Sequence, residues 1–127
     1  VEFRVDKEDE IVYGTMKGEV TAEEIIAGLE EVFDGGDYEP HFNGISDLRD
    51  INWESDQGDL RKIVQFIIRN KGRIGRHRSA IVVSNERSFG MSRMFEVFSE
   101  QTPLKVRVFR DYGEALDWAK NGKRKEE

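Results

Sequence analysis

Two periods alternate along this chain. Residues 1–6 alternate singly, with Val1, Phe3 and Val5 set against Glu2, Arg4 and Asp6, the pattern of a half-exposed strand. Lys7 to Glu10 is a charged turn. Ile11 to Lys17 is a second strand, entered so directly that an antiparallel hairpin is predicted. From Thr21 the period becomes helical, and Ile25, Ile26, Leu29, Val32 and Phe33 share one face. Thr21 and Glu24 have the spacing of a capping box, in which each satisfies a backbone N–H of the other. Gly35 and Gly36 are expected to stop this helix in a left-handed conformation, and Pro40 bars its continuation. Phe42 to Leu48 reads as a third strand whose apolar pattern is interrupted by Asn43, Gly44 and Ser46. A second helix follows over Asp59 to Asn70, with Leu60, Ile63, Val64 and Ile67 inside.

The most sharply patterned segment is Ser79 to Phe98. Ala80 to Val83 is an apolar, mostly β-branched run, as a strand covered on both faces requires. Ser88 has the chemistry to cap the next helix. There Met91, Met94, Phe95 and Phe98 fall at i, i+3, i+4 and i+7, and the helix ends before Pro103. Leu104 to Arg110 is the last strand, with Val106 and Val108 on one face and Lys105, Arg107 and Phe109 on the other. Asp111 caps a final helix with Glu114 at its third position, Ala115, Leu116 and Ala119 inward, and Asn121 and Gly122 at its end. The order ββαβαβαβα predicts an α/β fold in a single domain over residues 1–122. It has a five-stranded, mixed but mostly parallel sheet and four helices, followed by a charged C-terminal tail, 123–127.

Composition narrows the chemistry. The charged fraction is 36% and the formal net charge is -6, which argues against a general nucleic-acid binder. There is no cysteine, so disulfides, thiolate catalysis and cysteine-ligated metal are excluded. No apolar run is long enough to span a bilayer as a helix. The N-terminus opens on a charged strand without a signal-peptide pattern, so the expected location is cytoplasmic.

Four motifs, taken with the order of elements, carry a resemblance. They are Gly18 to Glu24 at the entry to the first helix, Asp47-Leu48-Arg49 after the third strand, Phe89 to Met94, and Arg107 to Asp111. In their order and spacing the chain resembles the SpoIIAA-like proteins, relatives of the STAS domain that are also compared with Sec14-type lipid-binding domains. The resemblance covers nearly the whole chain and implies a small α/β domain without a settled activity. In the STAS branch a serine at the N-terminus of the helix after the third strand is phosphorylated, in an Asp-Ser-Ser/Thr-Gly setting. Here that loop reads Trp53 to Gly58, with Asp56 where the serine would stand and Ser55 one place early. Asp56 therefore reads as a helix cap, and at this loop the chain departs from the phospho-switch pattern.

The candidate chemistry gathers in three places. Asp47, Arg49, Trp53, Asp56, Asn85, Phe89 and Met91 belong to loops after the third and fourth strands, where open α/β sheets place ligand crevices. The plainer reading makes their charges surface ion pairs and caps. Met94, Phe95 and Phe98, with Met91, either line an apolar pocket or form ordinary core. Arg73, Arg76, His77 and Arg78 form the densest basic stretch, suited to an anion or to the end of the preceding helix. His41 and His77 lack metal-ligand spacing, and there is no phosphate loop or nucleophile elbow. The expectation is a non-catalytic regulatory or binding module with no cofactor and no metal. It would act through a protein partner or a small apolar or anionic ligand held at the sheet's C-terminal edge, and a homodimer is compatible with it. The alternative is a lipid or apolar-metabolite carrier of Sec14-like type, with a cavity behind the methionine and phenylalanine stripe and the basic loop at its mouth.

Overall fold

The computed structural model describes residues 1–52 and 57–121. Trp53, Ser55, Asp56 and the charged tail, 123–127, lie outside the described residues. Strands β1 (Glu2–Asp6) and β2 (Ile11–Thr15) form the antiparallel hairpin that their alternation predicts. Strands β4 (Asn43–Asp47), β6 (His77–Val82) and β7 (Leu104–Phe109) then add in parallel, giving the order β1-β2-β4-β6-β7. Two short strands, β3 (Gly18–Glu19) and β5 (Ile51–Asn52), pair with each other as a separate ribbon. Among the described residues there are five helices. They are α1 (Ala22–Asp34), α2 (Gln57–Arg69), α3 (Lys71–Ile74), α4 (Glu86–Phe98) and α5 (Tyr112–Asn121). The fifth is α3, a single turn within the stretch that the sequence presents as a basic loop.

The two faces of the sheet are covered unequally. One face carries Ile11, Ile45, Ala80, Val82 and Phe109 and, among the described helices, packs on α5 through Ala115, Trp118 and Ala119. The opposite face meets α1, α2 and α4. Ile25, Leu60, Ile63, Phe66 and Ile67 supply most of its helical side. Ile81, Val83 and Val106 supply its sheet side against Phe89 and Phe95. The alternation of strand side chains places Phe3, Val12, Gly14, Gly44, Ser46, Ser79 and Ile81 on this second face. Four of these are glycine or serine, so the middle of the sheet offers little side-chain volume to the helices above it.

Caps fix the helix starts. Thr21 accepts from Glu24 N (3.1 Å) and its own N–H donates to Glu24 Oε1 (3.3 Å), so the capping box is present. Asp111 Oδ1 accepts from Glu114 N (2.8 Å) as expected. At α4 the cap is Asn85, whose side chain accepts from Ser88 N (2.9 Å). Ser88 lies one turn inside and is buried, because Asn85 reaches the orphan N–H first. Gly35 ends α1 in an extended conformation (φ -71°, ψ 156°) and not a left-handed one. Its N–H still donates to Glu31 O, so the last turn closes without the left-handed residue.

Candidate functional site

The edge nominated by the carboxyl ends of the strands is assembled, but its groups engage one another. Arg49 grips Asp47 through Nε (2.9 Å) and Nη2 (2.8 Å), and its backbone N–H donates to the same carboxylate (3.1 Å). These donors hold the Asp47 carboxyl below the usual carboxylate range. The Arg49 guanidinium also lies over the Tyr112 ring, 5.1 Å from its centroid. Ser84 Oγ donates to Arg49 O (2.7 Å), which ties the loop after β6 to the loop after β4. Asn85 is a cap, and Phe89 packs under Arg110, whose guanidinium sits 4.5 Å from the ring centroid. Met91, also expected at this rim, instead lines an interior space beneath α4, and Trp53 and Asp56 lie outside the described residues.

The basic stretch does not form one patch. Arg73 pairs with Asp34 and lies over the Phe33 ring. Arg78 reaches back to α5, donating to the carbonyls of Trp118 (3.0 Å), Ala119 (3.2 Å) and Lys120 (3.4 Å), the unsatisfied acceptors of a helix end. Arg76 is exposed, and His77 turns inward. The difference from the sequence reading has a simple cause. The first half of the stretch is helical and the second half is strand, so successive side chains diverge.

An apolar space lies elsewhere in the molecule. Between the sheet and the layer formed by α1, α2 and α4 is a cavity of about 150 Å3. Its floor is Val12, Gly44, Ser46, Ser79 and Ile81, and its roof includes Ile25, Leu29, Ile63, Ile67, Met91 and Phe95. The space lies over Gly44, Ser46 and Ser79, whose small side chains leave volume beneath the helices. Met91 and Phe95 line it, whereas Met94 and Phe98 pack in the neighbouring core. On α4 the fully buried positions are Ser88 and Ser92, one turn apart, and both border the cavity. The methionine and phenylalanine stripe flanks this serine line and is only partly buried. The stripe thus divides between the two readings that the sequence leaves open.

One end of the cavity is polar. Tyr38 Oη donates to Ile74 O (2.7 Å), and burial pushes its phenol up to about 12, so it stays a hydrogen-bond donor. His77 borders the same end, and its Nδ1 is buried without a hydrogen-bond partner. Burial pushes this imidazole down to about 4, against the pull of the Ile74 backbone and with added repulsion from His41. The ring is therefore neutral at pH 7. The loop before β4 is locked against this end. Gly75, at φ +72°, leaves no room for a Cβ, which would lie 3.0 Å from His41 N and Pro40 Cβ. Among the described residues, no group of three or more acidic or histidine side chains is placed to hold a metal ion. No described helix is long and apolar enough to cross a membrane.

No family model matches the sequence, and no curated protein matches it. In structure the chain is similar to an uncharacterised protein of the DUF3478 family from Shewanella loihica PV-4, described as having a SpoIIAA-like fold. The TM-score is 0.58 at 20% identity, over 86% of this chain and 83% of that one. At that identity the likeness speaks for architecture alone: the chain has a SpoIIAA-like fold.

Proposed function

We propose that this domain is a non-catalytic binding module whose ligand is a small, largely apolar molecule held between the sheet and the α1, α2 and α4 layer. The observation that carries this reading is the cavity of about 150 Å3, walled mainly by aliphatic and aromatic side chains with serines in its floor and roof. An apolar cavity of roughly that size stays dry and accepts a ligand as large as benzene. Left empty, it lowers stability by about 3–4 kcal/mol relative to a filled core, at roughly 24 cal/mol per Å3. A valine or leucine in place of Ser79, Ser46 or Ser92 would offset part of that penalty by simple substitution. The engaged pair at Asp47 and Arg49 leaves the carboxyl-end rim little free chemistry, which favours the interior over the rim as the ligand's place. The volume favours a ring or a short chain over a long acyl tail, so the reading is narrower than a general lipid carrier. A regulatory role would follow if the helical layer tightens on its ligand, transmitting occupancy to a partner.

Thermal unfolding in saturating toluene tests this. Ligand that binds the folded state raises its melting temperature by mass action. The wild type is expected to rise, while Ser79→Leu and Ser92→Leu, which place side chains in the cavity from floor and roof, gain stability without ligand and then fail to respond. An equal response of wild type and both variants, or none in any of them, would overturn the proposal.

A further inference from the structure

The cavity has a second neighbour that indicates the other end of its ligand. This inference rests on the reading of the cavity as a ligand site. Asn43 and His77 border two spaces at once, the apolar cavity and a shallow groove open to solvent at the amino-terminal edge of the parallel strands. Besides these two residues, the groove is flanked by His41, Arg76, Arg78, Pro103 and Lys105. No carboxylate is among the described residues that line it, in a chain whose formal net charge is -6. Arg78 is engaged on the α5 carbonyls. Arg76 and Lys105 are exposed, and neither has an ion-pair partner among the described residues.

His77, which borders both spaces, has its Nδ1 buried without a hydrogen-bond partner. Buried polar atoms are nearly always paired, so an orphan on a residue that borders the cavity points to this end as the one that receives a ligand's polar group. The neutral ring offers one donor and one acceptor but no charge. The charge comes from the groove beyond. A neutral head group would leave the two cations unanswered, whereas a carboxylate answers them and accepts from His77 in the tautomer that carries its proton on Nδ1.

We propose that the ligand is a small amphiphilic carboxylate, with a ring-sized or short-chain apolar body in the cavity. Its carboxylate lies beside His77, directed to the groove that Arg76 and Lys105 flank. The body supplies apolar burial, and the head supplies charge-assisted hydrogen bonds and long-range attraction.

Calorimetric titration of the full chain at pH 7 and low salt, with phenylacetate, 2-phenylethanol, toluene and acetate as probes, tests this assignment. Phenylacetate is expected to bind at least about fivefold tighter than 2-phenylethanol, as charged over neutral hydrogen bonding implies. Acetate should bind far more weakly than phenylacetate. The double variant Arg76→Gln, Lys105→Gln alters only exposed side chains and should erase the carboxylate's advantage while leaving toluene binding unchanged. Equal affinity for alcohol and carboxylate, or a double variant that binds phenylacetate as before, overturns the inference while the cavity reading stands. Acetate binding as tightly as phenylacetate also overturns it, by showing a surface anion patch in which the cavity plays no part. Failure of both toluene and phenylacetate to bind sinks the cavity reading and the inference together.

Discussion

Acid should weaken this fold through one side chain before it weakens it generally. His77 is held at about 4 in the folded chain against an ordinary 6.5, chiefly by burial, with His41 adding to the effect and the Ile74 backbone opposing it. Between those two values the unfolded chain takes up a proton that the folded chain refuses, so stability rises with pH across the window and falls as pH is lowered. The stability tied to a neutral His77 is whole above about pH 6.5 and is lost by about pH 4. At 1.36 kcal/mol per pKa unit, that displacement is worth about 3 kcal/mol. A loss of that size is a large share of the stability of a single domain. The assay is urea unfolding at a series of pH values from 7 to 4, for the wild type and for His77→Leu. Carboxylates common to both chains cancel in the difference, and the depressed Asp47 carboxyl titrates below the window. The wild type should lose about 3 kcal/mol more than the variant as pH falls from 7 to 4. Parallel stability curves would refute the claim that His77 is buried and neutral, as would a His77 ring signal titrating near 6.5 by NMR.

Other perturbations follow from the packing. The Phe3 ring is clasped between Gly14 and Gly28, where a Cβ would lie 2.7 Å from ring carbons on either side. Alanine at a mid-helix glycine ordinarily gains about 1 kcal/mol, but Gly28→Ala should lose about 1 kcal/mol net in urea unfolding, because its Cβ would overlap the Phe3 ring and force it off its packing against Gly14. Gly44→Ala should go the other way and gain about 0.5–1 kcal/mol, since its Cβ would meet nothing closer than Val12 O at 3.8 Å. Asn85→Ala removes the cap of α4 and should cost about 1 kcal/mol, with Asn85→Asp retaining most of it. Arg78→Ala strips three carbonyls at the end of α5 of their donor and should cost about 1–2 kcal/mol, with faster amide exchange at that helix end as the local readout.

The frame of this molecule was legible because its signals are local. The alternation in residues 1–6, the Thr21 and Glu24 box, the buried run at Ala80 and the Asp111 cap each point to one structure, and each is where it was expected. The cap at Asn85 was missed because serine and asparagine compete for the same N–H within a few residues, and only the backbone path decides between them. The cavity was visible only as a fault. Asn43, Gly44 and Ser46 weaken the apolar pattern of β4, and that weakness is the floor of the open space. A single strand cannot show it, since the roof comes from three helices distant in sequence. The dispersal of Arg73, Arg76, His77 and Arg78 was hidden for a related reason. A change from helix to strand within six residues sends neighbouring side chains to Asp34, solvent, the cavity and α5.

The central claim is that the space beneath α1, α2 and α4 is a binding site. Its most direct test is a two-dimensional 15N–1H spectrum of the protein, titrated with toluene to its solubility limit. The account predicts saturable shifts centred on Gly44, Ser46, Ser79 and Ser92, abolished in Ser79→Leu. A spectrum that does not change, or changes centred on the outer face of α5, would contradict it.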